Sequence, residues 1–409
     1  MNLLPVRTAV AVFLTFAFAY FFSALLRAIT ATLSPVLTVE FAMSARDLGL
    51  LAGGYFLGFA ATQLPMGAWL DRHGPRNVVL SLLSLSVIGC IAFSAATGFS
   101  GLLAARVLCG AGVSACLMAP LTGYRRWFDA TTQLRANSWM LMTGSLGMVA
   151  STLPVQWLMP QIGWRPLFWL LALMIVLAMG LIAWQVPRWS ALESASAGTV
   201  DAGYAAVWRH PYFRSLVPIG FFSYGALIAM QTLWAGPWLT HVAGRTPEEA
   251  ASGLFWINMS MLATFWVWGL VTPRLTRLGL LPAQLIAWGL PLSFVMLAAL
   301  IVVGAQAPTV VLPLFALYCV GCSFVALALP AVGMAFPTAT AGRALAAYNL
   351  VVFAGVFAVQ WGIGLLIDGF ESLGAPTVLA YQGAMAVLLA CGVASWAYFL
   401  WARPDNQGI

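Results

Sequence analysis

The sequence predicts an all-α membrane protein of twelve transmembrane helices, arranged as two six-helix halves. Three observations lead there. Of 409 residues, 62% are hydrophobic and 7% charged, with a mean hydropathy of +0.94. A water-soluble fold cannot hide that much apolar surface. The apolar residues gather in continuous runs near the length of a bilayer crossing. An outer-membrane barrel would show short alternating segments instead. The charges, finally, collect in the short breaks between the runs.

Taken in order, the runs predict helices over about 8–38, 45–70, 77–97, 100–123, 135–159 and 165–187, then 214–242, 250–272, 281–304, 309–335, 342–368 and 376–402. The first run is too long for the h-region of a cleaved signal peptide and reads as a helix. The one long connection is polar, with Ser, Gly, Glu193, Asp201 and Arg209. It divides the chain into an N-terminal bundle (1–187), a linker (188–213) and a C-terminal bundle (214–409). The six cysteines fall inside apolar runs and read as small packing residues, Cys319 and Cys322 of the CxxC included.

Arginine sets the expected topology. All eighteen basic residues are arginine. With the N-terminus inside, thirteen of them fall in cytoplasmic segments and only Arg46, Arg165 and Arg245 in outer loops. Both termini and the linker are then cytoplasmic. Because these arginines are dispersed, the net charge of +7 is no signal for nucleic acid.

Between the second and third runs lies Gly67-Ala-Trp-Leu-Asp71-Arg72-His73-Gly74-Pro75-Arg76. The spacing of Gly67, Asp71, Arg72, Gly74 and Arg76 resembles the signature loop of the major facilitator superfamily. That resemblance implies a cytoplasmic loop whose Asp and arginines latch the two halves of a transporter in its outward-open state. A weaker copy follows the eighth run, where Gly269 and Arg274 repeat Gly67 and Arg72 at one offset of 202 residues. The acidic position is lost there, with Pro273 in place of Asp71. Such paired halves are how transporter folds build a central site.

Two arginines remain inside helices, Arg27 and Arg106. Charge at membrane depth is costly and normally faces a cavity or a partner. Tyr20, Ser23, Arg27, Thr30 and Ser34 recur at steps of three and four, a polar stripe on the first helix. The guanidinium fork suits a carboxylate, phosphate or nitrate. Snorkelling of Arg27 toward the outer interface is the competing reading. Arg27, Ser34, Pro35, Leu37, Leu48, Gly49, Leu51, Gln63, Pro65 and Gly67 together resemble the organic-anion and anion-symporter branches of the superfamily. In its sugar-acid symporters an arginine near this place contacts the substrate. Arg106 with Gly110, Gly112 and Ala115 resembles the superfamily's helix-four motif. There the arginine either lines the cavity or pins the helix.

In the second half, Tyr224, Gln231 and Trp238 share a face of helix seven, with Trp234 between the last two. Asn349, Phe353, Val356 and Gln360 share a face of helix eleven, and Asn258 sits in helix eight. The candidate substrate-binding set is therefore Tyr20, Ser23, Arg27, Thr30, Arg106, Tyr224, Gln231, Trp234, Asn258, Asn349 and Gln360. The amides read equally as bonds between helices. Gly236-Pro237 is expected to break helix seven near its outer end.

No Asp or Glu lies mid-helix, Leu26 stands where the sugar-acid symporters carry an acid, and helix four carries none. Carboxylate-based proton coupling is therefore not expected. The Gly-Pro antiporter signature of helix five is also missing, which argues against drug export. With no phosphate-binding glycine loop and no metal set among His73, His210 and His241, neither a cofactor nor a metal is expected. The expectation is a monomeric, non-enzymatic secondary transporter of the bacterial inner membrane. It would take up a small anion with a proton or cation as possible co-substrate. The alternative is a multidrug or metabolite exporter of the same fold; a receptor or a channel on twelve helices fits less well.

Overall fold

The computed structural model describes residues 3–189, 204–304 and 306–403. Every regular element among them is helical. α1 (Val6–Phe41) is the first of twelve traverses. α2 (Ala45–Ala61) and the start of α3 (Gln63–Ala95) make the second, and the rest of α3 the third. α4 (Phe99–Val113) with α5 (Ala115–Trp127), α6 (Ala130–Ala150) with α7 (Leu153–Ile162), and α8 (Trp164–Gln185) complete the first half. A short helix, α9 (Tyr204–Arg209), precedes the seventh traverse. That traverse joins α10 (Pro211–Ile219), α11 (Gly225–Ala229) and α12 (Ala235–His241) through two π-helical turns. Then come α13 (Pro247–Arg277), α14 (Pro282–Val303), α15 (Pro308–Cys322) continued by α16 (Ala328–Ala335), α17 (Thr338–Ser372) and α18 (Thr377–Ala402). Residues 190–203 of the expected linker lie outside the described residues.

Among the described residues, ten helical stretches are long and apolar enough to cross a bilayer. The other two traverses, the second and fifth, are interrupted. α2 ends after 17 residues at Thr62. The fifth breaks at Ser151-Thr152, ahead of Pro154 at the start of α7. Proline has no N–H to give to the preceding turn, so a new helix begins there readily. α1, at 36 residues, is about 54 Å long at 1.5 Å per residue, well beyond the roughly 30 Å hydrocarbon core.

The expected break at Gly236-Pro237 is displaced. α12 runs through Pro237, and the irregularity lies just before it, as the π turn Met230–Trp234. Pro237 cannot bond the carbonyl of Leu233, and widening the preceding turn absorbs that loss.

By compactness the chain falls into two units, Met1–Ile29 with Gly54–Val200, and Thr30–Gly53 with Asp201–Ile409. The division passes through α1 and α2. In the first unit α3 packs against α4 and α8. A Cβ at Gly110 would stand 1.8 Å from the Tyr55 carbonyl oxygen, and one at Gly112 would stand 2.2 Å from the Ser86 nitrogen. These two glycines let α4 touch α2 and α3 backbone to backbone. In the second unit a core built on Trp234, Trp238, Phe315 and Tyr381 takes in Ala31, Leu48 and Ala52 from α1 and α2.

Candidate functional site

The polar stripe of α1 faces protein. Tyr20, Ser23, Thr30 and Ser34 are buried, and Arg27 is half-buried. Tyr20, Ser23 and Arg27 belong to the first unit; Thr30 and Ser34 belong to the second. Within the first unit the Arg27 guanidinium lies 5.8 Å from the centre of the Phe59 ring. Arg106 has no exposed surface at all. Its Nη1 donates to the Leu26 carbonyl at 2.7 Å, and its guanidinium lies 5.0 Å from the centre of the Tyr55 ring. Its Nε and Nη2 have no hydrogen-bond partner.

Tyr55 ties the two arginines together, and the sequence reading missed it. Its hydroxyl donates to the Ser23 carbonyl at 3.0 Å, and it lies within electrostatic reach of both guanidinium groups. The available signal was a lone polar aromatic behind Gly53-Gly54 in an apolar run. Acidic residues in the first unit are limited to Asp71, Asp129 and Glu193, none of them in the apolar stretches around Arg27, Tyr55 and Arg106. The region is therefore cationic. Both arginines offer planar, always-charged forks suited to a carboxylate or another oxyanion.

The second unit is different. Gln231, Asn258 and Asn349 are buried, and Tyr224 is half-buried. The Asn258 amide donates to Leu254 of its own helix at 3.0 Å. Trp234 Nε1 donates to the Gln360 carbonyl at 3.1 Å, and Gln360 Nε2 donates to Thr232 Oγ1 at 2.8 Å. Two of the named side chains, Trp234 and Gln360, thus bond one helix to another, and Asn258 bonds within its own. The polar atoms left over are Gln360 Oε1, Trp238 Nε1, Trp361 Nε1, Ser223 Oγ and His210 Nδ1, none of them on an arginine.

The signature loop belongs to the first unit. Gly67 faces open space, and Asp71 and Arg72 are exposed. Gly74 has φ 74°, and a Cβ there would stand 2.3 Å from the Trp189 side chain. Only glycine meets both constraints. Arg76 Nη2 donates to the Ala183 carbonyl. Arg126 stacks on Trp189, 4.1 Å from its ring centre.

A sequence model described as the Major Facilitator Superfamily matches residues 16–360. The chain belongs to that superfamily. It is a multi-pass membrane protein. The superfamily fold is also seen in solved structures. One is a D-xylose-proton symporter, with TM-score 0.79 and 14% identity over 98% of this chain and 99% of that one. Another is a bacterial homologue of the human lysosomal transporter Spinster, inward-facing and unoccupied, with TM-score 0.77 and 17% identity over 97% of each chain. Among curated relatives, the inner membrane transport protein YajR of Escherichia coli is 24% identical over 41% of this chain and 37% of its own length. A probable 4-methylmuconolactone transporter of Cupriavidus pinatubonensis is 24% identical over 65% of this chain and 63% of its own length. The 4-hydroxybenzoate transporter PcaK of Acinetobacter baylyi is 24% identical over 58% of this chain and 60% of its own length. The matches thus span less than two thirds of these curated relatives.

Proposed function

We propose that this superfamily member takes up a small anion, an organic acid or an inorganic oxyanion, by alternating access across a bacterial inner membrane. Arg27 and Arg106 bind the anion in this reading, with Tyr55 positioning them and Tyr20, Ser23 and Thr30 lining the approach. Tyr224, Gln231, Trp234, Asn258, Asn349 and Gln360 orient it or brace the helices around it. The observation that carries the reading is Arg106. It is fully buried in a region without carboxylates, and two of its donors are unbonded. A buried cation in that condition is costly unless something anionic completes it. Relatives named for galactonate and 4-hydroxybenzoate, both carboxylates, support the same class.

The arginine distribution puts both termini in the cytoplasm. Gly67, Asp71, Arg72, Gly74 and Arg76 then form a cytoplasmic latch, and the protein works as a monomer. With no carboxylate in the helix interiors, coupling comes from a proton or cation brought by the anion, or from exchange of one anion for another.

A thermal-shift screen of the purified protein tests the reading. A ligand that prefers the folded state raises its stability. Carboxylates or oxyanions are expected to raise Tm, and organic cations are not. Stabilisation by lipophilic cations alone would overturn the anion assignment and leave the exporter. Uptake into liposomes then fixes direction.

A further inference from the structure

The start of α2 is held by a carboxylate from more than three hundred residues away. A helix N-terminus leaves its first backbone N–H groups without partners inside the helix. Here Ser44 and Asp47 satisfy two of them reciprocally. Ser44 N–H donates to Asp47 Oδ2, and Asp47 N–H to Ser44 Oγ, both at 3.3 Å. The two remaining N–H groups, of Ala45 and Arg46, donate to Oδ1 and Oδ2 of Asp368 at 3.0 and 3.1 Å. Asp368 lies one turn before the end of α17. Its negative charge also meets the positive end of the α2 dipole.

Below this clasp the two helices lie in direct contact. A Cβ at Gly364 would stand 2.3 Å from the Ala45 carbonyl oxygen, and one at Gly49 would stand 2.5 Å from the Gln360 carbonyl oxygen. A Cβ at Gly53 would press on Phe357 at 3.1 Å. At its two closest points, Gly364 against Ala45 and Gly49 against Gln360, the seam is backbone against backbone, with Leu48 and Ala52 in the same core as Ile363 and Ile367 beside it. The carboxylate clasp is the directional, charge-assisted contact at its end.

We propose that Asp368 is a gate residue of the transport cycle. Its carboxylate holds the first turn of α2 on α17 in the state seen here, and the protein releases that clasp to reach its other state. The inference requires alternating access and does not depend on the solute being an anion. Asp368 acts through the backbone of α2, so it is a positioning residue and touches no substrate.

Ala52 supplies the reporter. It is 2% exposed and packed in the same core as Leu48 and Trp234. Purified full-length protein carrying Ala52→Cys is treated with a small maleimide, and labelling is read site by site by mass spectrometry. Adding Asp368→Ala removes both hydrogen bonds to the first turn of α2 and is expected to speed labelling of that thiol about tenfold or more. Asp368→Asn keeps a carbonyl acceptor without the charge and should fall between the two. Asp368→Glu should restore most of the protection. The native Cys319 and Cys322, buried in the same unit, and Cys90 and Cys109, buried in the other, should stay unlabelled. Two outcomes overturn the proposal: an unchanged rate at the introduced thiol, or an equal rise at Cys319 and Cys322, which marks general loosening. If Asp368→Ala does not purify as a folded protein, the Asn and Glu variants decide by the same criteria.

Discussion

The two units differ in whether arginine donors are among the buried polar atoms they leave open. In the first, Arg27, Arg106, Tyr55 and Ser23 converge where no acid is at hand, and fully buried Arg106 keeps two cationic donors unbonded. In the second, Trp234, Gln360, Thr232 and Asn258 close on one another or on their own backbone. What stays open there includes no arginine. The difference teaches that a polar residue in an apolar helix cannot be assigned by type alone. A neutral amide is readily completed by a neighbouring helix. An arginine needs several acceptors around one plane, and a helix interior seldom supplies them.

The largest expected effect comes from removing the cation. Arg27→Gln should abolish the Tm rise given by whichever anion the screen finds. Arg27→Lys keeps the charge but loses the fork, and should weaken binding by about 1 kcal/mol or more by calorimetry. Near-normal affinity in both would end the contrast and leave Arg27 as a snorkelling side chain.

Asp71→Asn and Arg72→Ala should come next. Both residues are exposed, so the protein should fold, and ligand should still raise its Tm. Transport into liposomes should fall severalfold, because the loop biases one of two global states. Wild-type rates in both variants would reduce the loop to a topology signal.

Tyr55→Phe sharpens the first-unit side of the comparison. It keeps the ring beneath Arg106 and removes the bond to the Ser23 carbonyl. Affinity should drop a few-fold, and stability by about 1 kcal/mol in denaturant titration. A variant that loses stability but binds as before would make Tyr55 purely a brace.

Gln360→Met breaks the bond to Thr232 in the second unit. Stability should fall by about 1 kcal/mol while affinity stays within about twofold. Asn258→Leu removes only a bond within α13 and should change stability by no more than about 0.5 kcal/mol. An affinity loss in either as large as that of Arg27→Lys would show that the second unit recognises the solute as strongly as the first.

Much of this was legible in the residues. The twelve traverses followed from apolar runs, because the backbone in lipid must satisfy itself and only a helix does so within one segment. The signature loop was read from five residues, and Gly74 proved to need glycine on two counts, its φ and the Trp189 contact. The interruptions were harder to place. A break was expected at Pro237 but not at Pro154, through which the fifth helix was expected to continue, and whether a helix restarts or widens into a π turn depends on what its neighbours allow.

By itself the sequence determined an all-helical membrane protein with two arginines at depth and no acid beside them. Those features are local: hydropathy, charge and spacing are properties of consecutive residues. The tertiary structure alone decided which polar groups meet. It brought Tyr55 between Arg27 and Arg106, joined Trp234 and Thr232 to Gln360, and set Asp368 on the first turn of α2. Each of those meetings joins residues on different helices, and the helical period that marks a face does not reveal what the face will touch.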